Sequence, residues 1–342
     1  MPIECRHVVR QRPPRVLSDP SAQAAAPAQG LRTAVLIPCF NEAPSIAAVV
    51  ADFRRVIPEA TVFVYDNNST DGTAEVARAA GAIVRSEPWQ GKGNVVRRMF
   101  ADTEADVYVL VDGDGTYDAA SAPQLVDLLL ENGLDMVNAA REEWSQGAYR
   151  RGHRLGNRLL TDLVTTIFGR HLTDLLSGYR VLSRRFVKSF PALSTGFEIE
   201  TELTVHALEL RMPMAELRTP YRERPEGSAS KLRTYRDGIR ILRTVVALVR
   251  EERPLAFFAG GFVALAVLSL LLGWPVVLAY LETGLVERLP TALLATGLML
   301  LAFLSLASGL ILDTVTRGRR ELRRLHYLQI PLVPSRRRLG RS

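Results

Sequence analysis

The chain has 342 residues, 47% hydrophobic and 23% charged, a balance that excludes wholesale disorder and allows one or two domains with a proper core. Its formal charge of +7 sits at the ends: nine arginines face two acidic residues from Asp313 onward, and four face two in residues 1–30. Basicity confined to the tails, with no RNA- or DNA-binding motif, speaks against a nucleic-acid partner.

Residues 1–30 lack the apolar core of a signal peptide and are rich in Ala, Pro and Arg, which predicts a flexible N-terminal segment. Two cysteines, Cys5 and Cys39, make neither a disulfide scaffold nor a metal knuckle and suit a reducing compartment. The soluble part is therefore expected in the cytosol.

Residues 33–140 alternate β-branched runs with helical patterns: TAVLI before a helix at 43–56, TVFVY before 71–80, AIV before 91–102, VYVLV before about 121–131, then DMVNA. The alternation predicts βαβ units and a mostly parallel, Rossmann-like α/β sheet covered on both faces. Such sheets bind ligands at the carboxyl ends of their strands, where the polar clusters PCFNE, DNNSTDGT and DGDGTYD fall. From 141 to 230 the pattern is more helical and basic, with SGYRVLS and PMAELRTPY as short strands that would complete the cleft. The domain carrying the chemistry is expected over 31–230.

Residues 231–253 follow as a juxtamembrane amphipathic segment, with Arg236, Arg240 and Arg243 on one stripe and Ile239, Leu242, Val246 and Val249 on another. A helix in the membrane interface and a helix docked on the preceding domain both fit. Residues 255–281 and 291–312 contain no charge, and each exceeds the roughly 20 apolar residues that cross a bilayer. A two-helix transmembrane hairpin over 254–313 and a basic cytosolic tail over 314–342 are expected. Seven Lys and Arg lie within 231–253 and five within 313–324, against Arg288 alone in the intervening loop. That asymmetry puts the domain and both termini on the cytosolic side of a multi-pass protein of the cytoplasmic membrane, with anionic headgroups as partner of the tail.

In VYDNNSTDGT, Asp66 leaves its strand where a carboxylate can accept hydrogen bonds from a nucleobase or ribose. Ser69, Thr70 and Asp71 are good caps for the next helix. GKGNVVR sets Lys92 between two glycines at a helix start, a geometry that lets backbone N–H groups and a cation approach phosphate oxygens. In VLVDGDGTYD, Asp112 and Asp114 stand at i and i+2 just past a buried strand. They can share a hard divalent cation that leaves positions open for a diphosphate, or simply form an Asp/Gly turn.

VLIPCFNEAPSI, VYDNNSTDGT, GKGNVVR, VLVDGDGTYD, LSGYRVLSR and ERPEGSASKLRTYRDG, in this order and spacing, resemble family 2 glycosyltransferases of the dolichyl-phosphate mannosyltransferase type, including bacterial polyprenyl-phosphate members with two C-terminal membrane helices. The resemblance covers about residues 32–315 and implies a GT-A catalytic domain that uses a nucleotide-activated sugar. It implies that Pro38, Asn41 and Glu42 line the nucleotide pocket, that Asp66 and Asn68 contact base and ribose, and that Lys92 sits near the nucleotide. Asp112 and Asp114 become a DxD pair for Mg2+ or Mn2+, with Asp114 the more direct ligand. The chain departs from the family after the pair, reading Thr116, Tyr117, Asp118, Ala119 where many relatives carry Gln, His and prolines, and it has Asn68 where a third acidic residue is common.

The acceptor can be argued from charge. A polyprenyl phosphate, with a second pKa of about 6, is already a nucleophile and requires no general base. It requires cations that hold it in line with the anomeric carbon. Arg141, Arg150, Arg151, His153, Arg154, Arg180, Arg224 and Lys231 are available. Arg141, Arg150, Arg151, Arg224 and Lys231 are expected at the acceptor phosphate, with Asp114, Arg141, Arg150 and Lys231 serving catalysis. Glu198 and Glu202 share a helical i, i+4 spacing with Glu200 on another face, and orientation of arginines or sugar hydroxyls is expected of this cluster. His171 and His206 lack ligand spacing and are expected to be structural.

The expected activity is transfer of one sugar from a UDP- or GDP-sugar to polyprenyl phosphate on the cytosolic face. Another lipid or a glycan as acceptor, and a silent scaffold of a glycan-assembly complex, are the alternatives. A homo-oligomer is left open.

Overall fold

The computed structural model describes residues 30–143, 173–196, 198–222, 250 and 253–332. A compact unit begins at Arg32 and holds every element below. The N-terminal segment up to residue 29, most of the amphipathic segment, and residues from 333 onward lie outside the described residues.

Seven strands, β1 (Thr33–Cys39), β2 (Thr61–Asp66), β3 (Ile83–Ser86), β4 (Val107–Leu110), β5 (Met136–Glu143), β6 (Arg180–Ser183) and β7 (Met214–Tyr221), form one sheet in the order β3-β2-β1-β4-β6-β5-β7. Every strand except β6 runs in the same direction. The sheet is thus mostly parallel, as the alternation predicted. A reversed strand wedged between β4 and β5 is not written in local periodicity, because both orientations present the same buried run RVLS.

Helices α1 (Ala43–Val56), α2 (Thr73–Ala79), α3 (Lys92–Asp102) and α4 (Ala122–Asn132) follow the first four strands in turn, and α5 (Arg184–Ser189) and α6 (Ile199–Glu209) follow β6. Apolar residues at helical spacing, such as Ile46, Val49, Val50 and Phe53 of α1 and Leu125, Val126, Leu129 and Leu130 of α4, are buried, so each stripe seals the sheet. The central strands read as near-continuous apolar runs because they are covered on both faces, Val35, Leu36, Ile37 and Val109 being fully enclosed.

Two long helices end the described chain: α7 (Pro254–Thr283) and α8 (Leu289–Gln329). Their most apolar 18-residue windows have mean hydropathy 2.5 and 2.1, and both are long enough to cross a membrane. Leu270, Leu271, Trp274, Leu281, Leu300 and Leu304 are more than half exposed, a contiguous apolar surface of the kind that marks an interaction site. Small residues bring the two helices together. Ser269 donates to Ala295 O at 2.7 Å, Ser305 to Phe258 O at 2.9 Å, and Gly309 lies against Phe258 and Leu255.

The basic segment after Asp313, read as a tail, instead continues α8 without a break to Gln329. Its last turns dock on the sheet domain. Arg323 pairs with Glu209 at 2.7 Å, Tyr327 donates to Asp135 Oδ2 at 2.6 Å, and His326 reaches Lys188 O at 3.1 Å.

Candidate active site

The carboxyl ends of β1, β2 and β4 carry the polar loops. Pro38 lies in β1 beyond the residues that pair with β4, which stop at Leu36, so its missing N–H costs no ladder bond there. The loops after β1 and β2 are clasped together. Asn41 N donates to Ser69 Oγ at 2.8 Å, Glu42 N to Thr73 Oγ1 at 2.9 Å, Ala43 N to Asp71 Oδ2 at 3.0 Å, and Thr70 N to Asn41 Oδ1 at 2.8 Å. The bond to Ala43 N satisfies an orphan donor in the first turn of α1. Asp71 therefore caps α1 as well as the helix that follows it, where Thr73 N donates to its Oδ1 at 3.1 Å.

Asn41 and Asn68 both have positive φ, 53° and 64°, which asparagine tolerates. The side chain of Asn68 turns to Pro88 O at 2.8 Å and Gln90 Oε1 at 3.2 Å. Asn67, which the sequence did not single out, is more deeply set: it donates to Glu87 O and Trp89 O, both at 2.8 Å, and accepts from Gly91 N at 2.7 Å. Glu42 and Asp66 are buried. Asp66 Oδ2 accepts from Ser69 N at 3.2 Å, whereas its Oδ1 is enclosed without a hydrogen-bond partner. A buried carboxylate oxygen left in this way requires a donor.

Asp112 and Asp114 follow β4. Asp114 is 4% exposed, and its Oδ1 accepts from Thr116 N at 3.1 Å and Thr116 Oγ1 at 2.6 Å. The threonine is thus an orienting group for the carboxylate. Ser45 Oγ donates to Gly113 O at 2.7 Å, fastening the turn to α1. Beyond it, Tyr117 bridges to Tyr221, and Arg222 N donates to Thr116 O at 2.9 Å.

Lys92 opens α3 with its ammonium 2.5 Å from Asp112 Oδ1 and 2.5 Å from Glu200 Oε1. Burial by itself would push the ammonium down, but the two carboxylates reverse this and hold it above the ordinary lysine value. Burial pushes Glu200 above the usual carboxylate range, with Lys92 opposing and Asp112 adding to the rise. Glu200 Oε2 is buried with no hydrogen-bond partner. The glycines around Lys92 permit close packing: a Cβ at Gly91 or Gly93 would strike the carbonyls of Thr195 and Ser194, and Gly93 N donates to Thr195 O at 3.1 Å. Glu202 accepts from Leu193 N and Ser194 N, both at 2.8 Å, and holds that loop. Glu200 was legible only as a helical acidic residue; its partner Lys92 is 108 residues away.

Arg141, at the far end of β5, is forked on Asp174, with Nε to Oδ2 at 2.6 Å and Nη2 to Oδ1 at 2.8 Å, and lies 5.5 Å from the Tyr221 ring centroid. Tyr117 packs edge-to-face on Tyr179 and Tyr221, and its hydroxyl accepts from Gly178 N at 2.8 Å; burial raises this phenol above its ordinary value, with Arg141 opposing and Asp112 reinforcing. Arg180 is fully buried and does not face an acceptor, contrary to its place among the candidate cations. Arg150, Arg151, His153, Arg154, His171, Arg224 and Lys231 lie outside the described residues. His206 is structural, meeting Phe186 and Phe190 edge-to-face, with Ser189 Oγ at 3.1 Å.

Among the described residues no group of three or more His, Cys, Asp and Glu could hold a metal by itself. Asp112 and Asp114 are a hard oxygen pair with one member oriented by Thr116, which fits Mg2+ or Mn2+ bound jointly with a diphosphate rather than in an all-protein cage.

Comparisons with known proteins agree with this architecture. The model of glycosyl transferase family 2 matches residues 34–190. The glycosyltransferase AglJ of Haloferax volcanii is 34% identical over 300 residues, which cover 86% of this chain and 97% of AglJ. A dolichyl-phosphate hexose transferase of the same organism is 29% identical over 221 residues, 64% and 95% of the two chains. Among solved structures, glucosyl-3-phosphoglycerate synthase from Mycobacterium tuberculosis, in complex with Mn2+, uridine-diphosphate-glucose and glycerol 3-phosphate, superposes with a TM-score of 0.52 at 25% identity over 65% of this chain and 80% of the synthase. The fold is that of a GT-A glycosyltransferase, an enzyme class that draws on nucleotide-sugar donors. The chain belongs to glycosyl transferase family 2.

Proposed function

We propose that the enzyme transfers one sugar from a UDP- or GDP-sugar to a polyprenyl phosphate at the cytosolic face of the cytoplasmic membrane. The acceptor assignment is carried by the hairpin of α7 and α8, which brings a lipid-facing surface into the same compact unit as the site. The relative named as a dolichyl-phosphate hexose transferase supports a lipid phosphate acceptor. The excess of Lys and Arg on both flanks of the hairpin supports a cytosolic site.

Asp66 Oδ1 supplies an acceptor for base or ribose of the donor, and Glu200 Oε2 one for a hydroxyl of its sugar, since both are buried acceptors without partners. Asp112 and Asp114 would hold Mg2+ or Mn2+, as the neighbour bound to Mn2+ and UDP-glucose supports, and would thereby supply Lewis-acid neutralisation of charge on a departing diphosphate. Lys92 keeps Asp112 and Glu200 a fixed distance apart and tempers their repulsion. Arg141 is already charge-paired with Asp174. It orients an acceptor phosphate from the side, and Arg150, Arg151, Arg224 and Lys231 carry most of the compensating charge.

The test is the purified full chain in detergent with Mn2+ or Mg2+, a panel of UDP- and GDP-sugars, and C55 polyprenyl phosphate. A lipid-linked monosaccharide that disappears in Asp114→Ala is expected. Product on a non-phosphorylated lipid or glycan, with none on the lipid phosphate, would overturn the acceptor assignment.

A further inference from the structure

Arg180 begins β6 and has no exposed surface. Its Nε donates to Ser177 O at 3.1 Å, Nη2 to Leu175 O at 2.8 Å and Glu200 O at 2.9 Å, and Nη1 to Thr204 Oγ1 at 2.9 Å. Thr204 Oγ1 in turn donates to Glu200 O at 3.2 Å. Among the described residues none of these partners is a carboxylate. Burying a charge against neutral acceptors is costly, and apolar packing would serve a purely structural position as well or better. What an arginine adds is a rigid fork that reaches several acceptors in fixed directions.

The two pieces joined by that fork both border the site. The loop before β6 carries Asp174, which holds Arg141, and ends in Gly178, where a Cβ would collide with the carboxylate of Asp112. Asn138 and Glu216 hold the same loop from β5 and β7, but neither reaches α6. The first turn of α6 carries Glu200, whose carboxylate meets Lys92 beside Asp112. We infer that Arg180 is a positioning residue, which sets the place of the Glu200 carboxylate relative to Asp112 by tying the Leu175–Gly178 loop to the first turn of α6. The inference rests on the reading of Glu200 as a group that receives the donor's sugar.

The test is a double-mutant cycle in the full-length protein, with Arg180→Lys, Glu200→Gln and the pair. Donor kcat and KM are measured with whichever acceptor is turned over, together with the unfolding midpoint. A lysine presents its donors from one point and cannot span Leu175 O, Ser177 O and Thr204 Oγ1. Arg180→Lys is expected to lower kcat by about tenfold in the native background and by less than about twofold in the Glu200→Gln background, because a displaced Glu200 no longer matters once its carboxylate is gone. Equal losses in both backgrounds, or a lower midpoint with kcat intact, would overturn the inference. Should Arg180→Lys fail to fold, Thr204→Val removes one arm of the fork and is read in the same cycle: a loss that depends on Glu200 supports the tie, and an additive loss overturns it. A Glu200→Gln variant with native kcat and KM would show that the reading of Glu200 itself fails, whereas an impaired Glu200→Gln with additive Arg180→Lys defeats the tie alone.

Discussion

The hydroxyl of Tyr327 donates to Asp135 Oδ2 at 2.6 Å across 192 residues of chain. Asp135 has a fully buried side chain, and it also accepts from Ser183 Oγ at 2.7 Å and from Arg185, whose guanidinium sits 4.4 Å from the Tyr327 ring centroid. The end of the second apolar helix is therefore part of the catalytic domain's polar core. Tyr327→Phe should cost about 1.5–3 kcal/mol, the usual worth of a hydrogen bond to a charged group, while Arg185 still serves Asp135 Oδ2. Asp135→Ala should cost about 3–5 kcal/mol by stranding Arg185. Denaturant unfolding in detergent measures both.

Thr116 donates twice to Asp114 Oδ1, so Thr116→Val should leave the fold intact while weakening divalent-cation affinity by about 10–100-fold, the usual effect of losing a group that orients a ligand. Mn2+ titration followed by electron paramagnetic resonance, with donor present, reads this directly. Unchanged affinity would remove Thr116 from the metal's support.

Lys92 separates Asp112 from Glu200. In Lys92→Met the two carboxylates face each other, at a cost of about 3–5 kcal/mol. Divalent cation should then substitute for the missing ammonium: Mn2+ is expected to raise the thermal midpoint of Lys92→Met more than that of the native protein. Equal shifts would mean that the cation does not bind at this pair.

His206 is buried among Phe186 and Phe190, and burial, aided by Arg323, pushes its pKa down to about 3. The unfolded imidazole titrates near 6.5. Between those values the unfolded chain holds a proton that the folded chain does not, so stability is complete above about pH 6.5 and falls by about 1.4 kcal/mol per pH unit below it. Comparison of His206→Phe with the native protein at pH 7 and pH 5, by urea unfolding, should show a shallower pH dependence in the variant.

Much of the helix and strand pattern was legible because each segment's period reflects only which of its own faces is buried. The helix expected at 43–56 is α1, and the turn holding Asp112 and Asp114 stands at the carboxyl end of β4. Other roles were not legible because hydrogen-bond partners come from elsewhere in the chain. Asp71 looks like a cap for the helix two residues on, yet Ala43 N, 28 residues back, uses its second oxygen. Gly91 and Gly93 look like phosphate-loop glycines, yet a loop a hundred residues downstream crowds them. Arg180 reads as one of several cations in a basic stretch, and nothing in LSGYRVLSR marks it as fully enclosed.

By itself the sequence determined the α/β order, the carboxylates after β2 and β4, and the two apolar helices, since these depend on local period, turn chemistry and uninterrupted hydrophobicity. Only the tertiary structure decided that β6 runs against its neighbours, that Glu200 meets Lys92 beside Asp112, and that α8 ends on Asp135. Those are pairings between distant segments, chosen because buried donors, acceptors and charges must find partners wherever packing brings them.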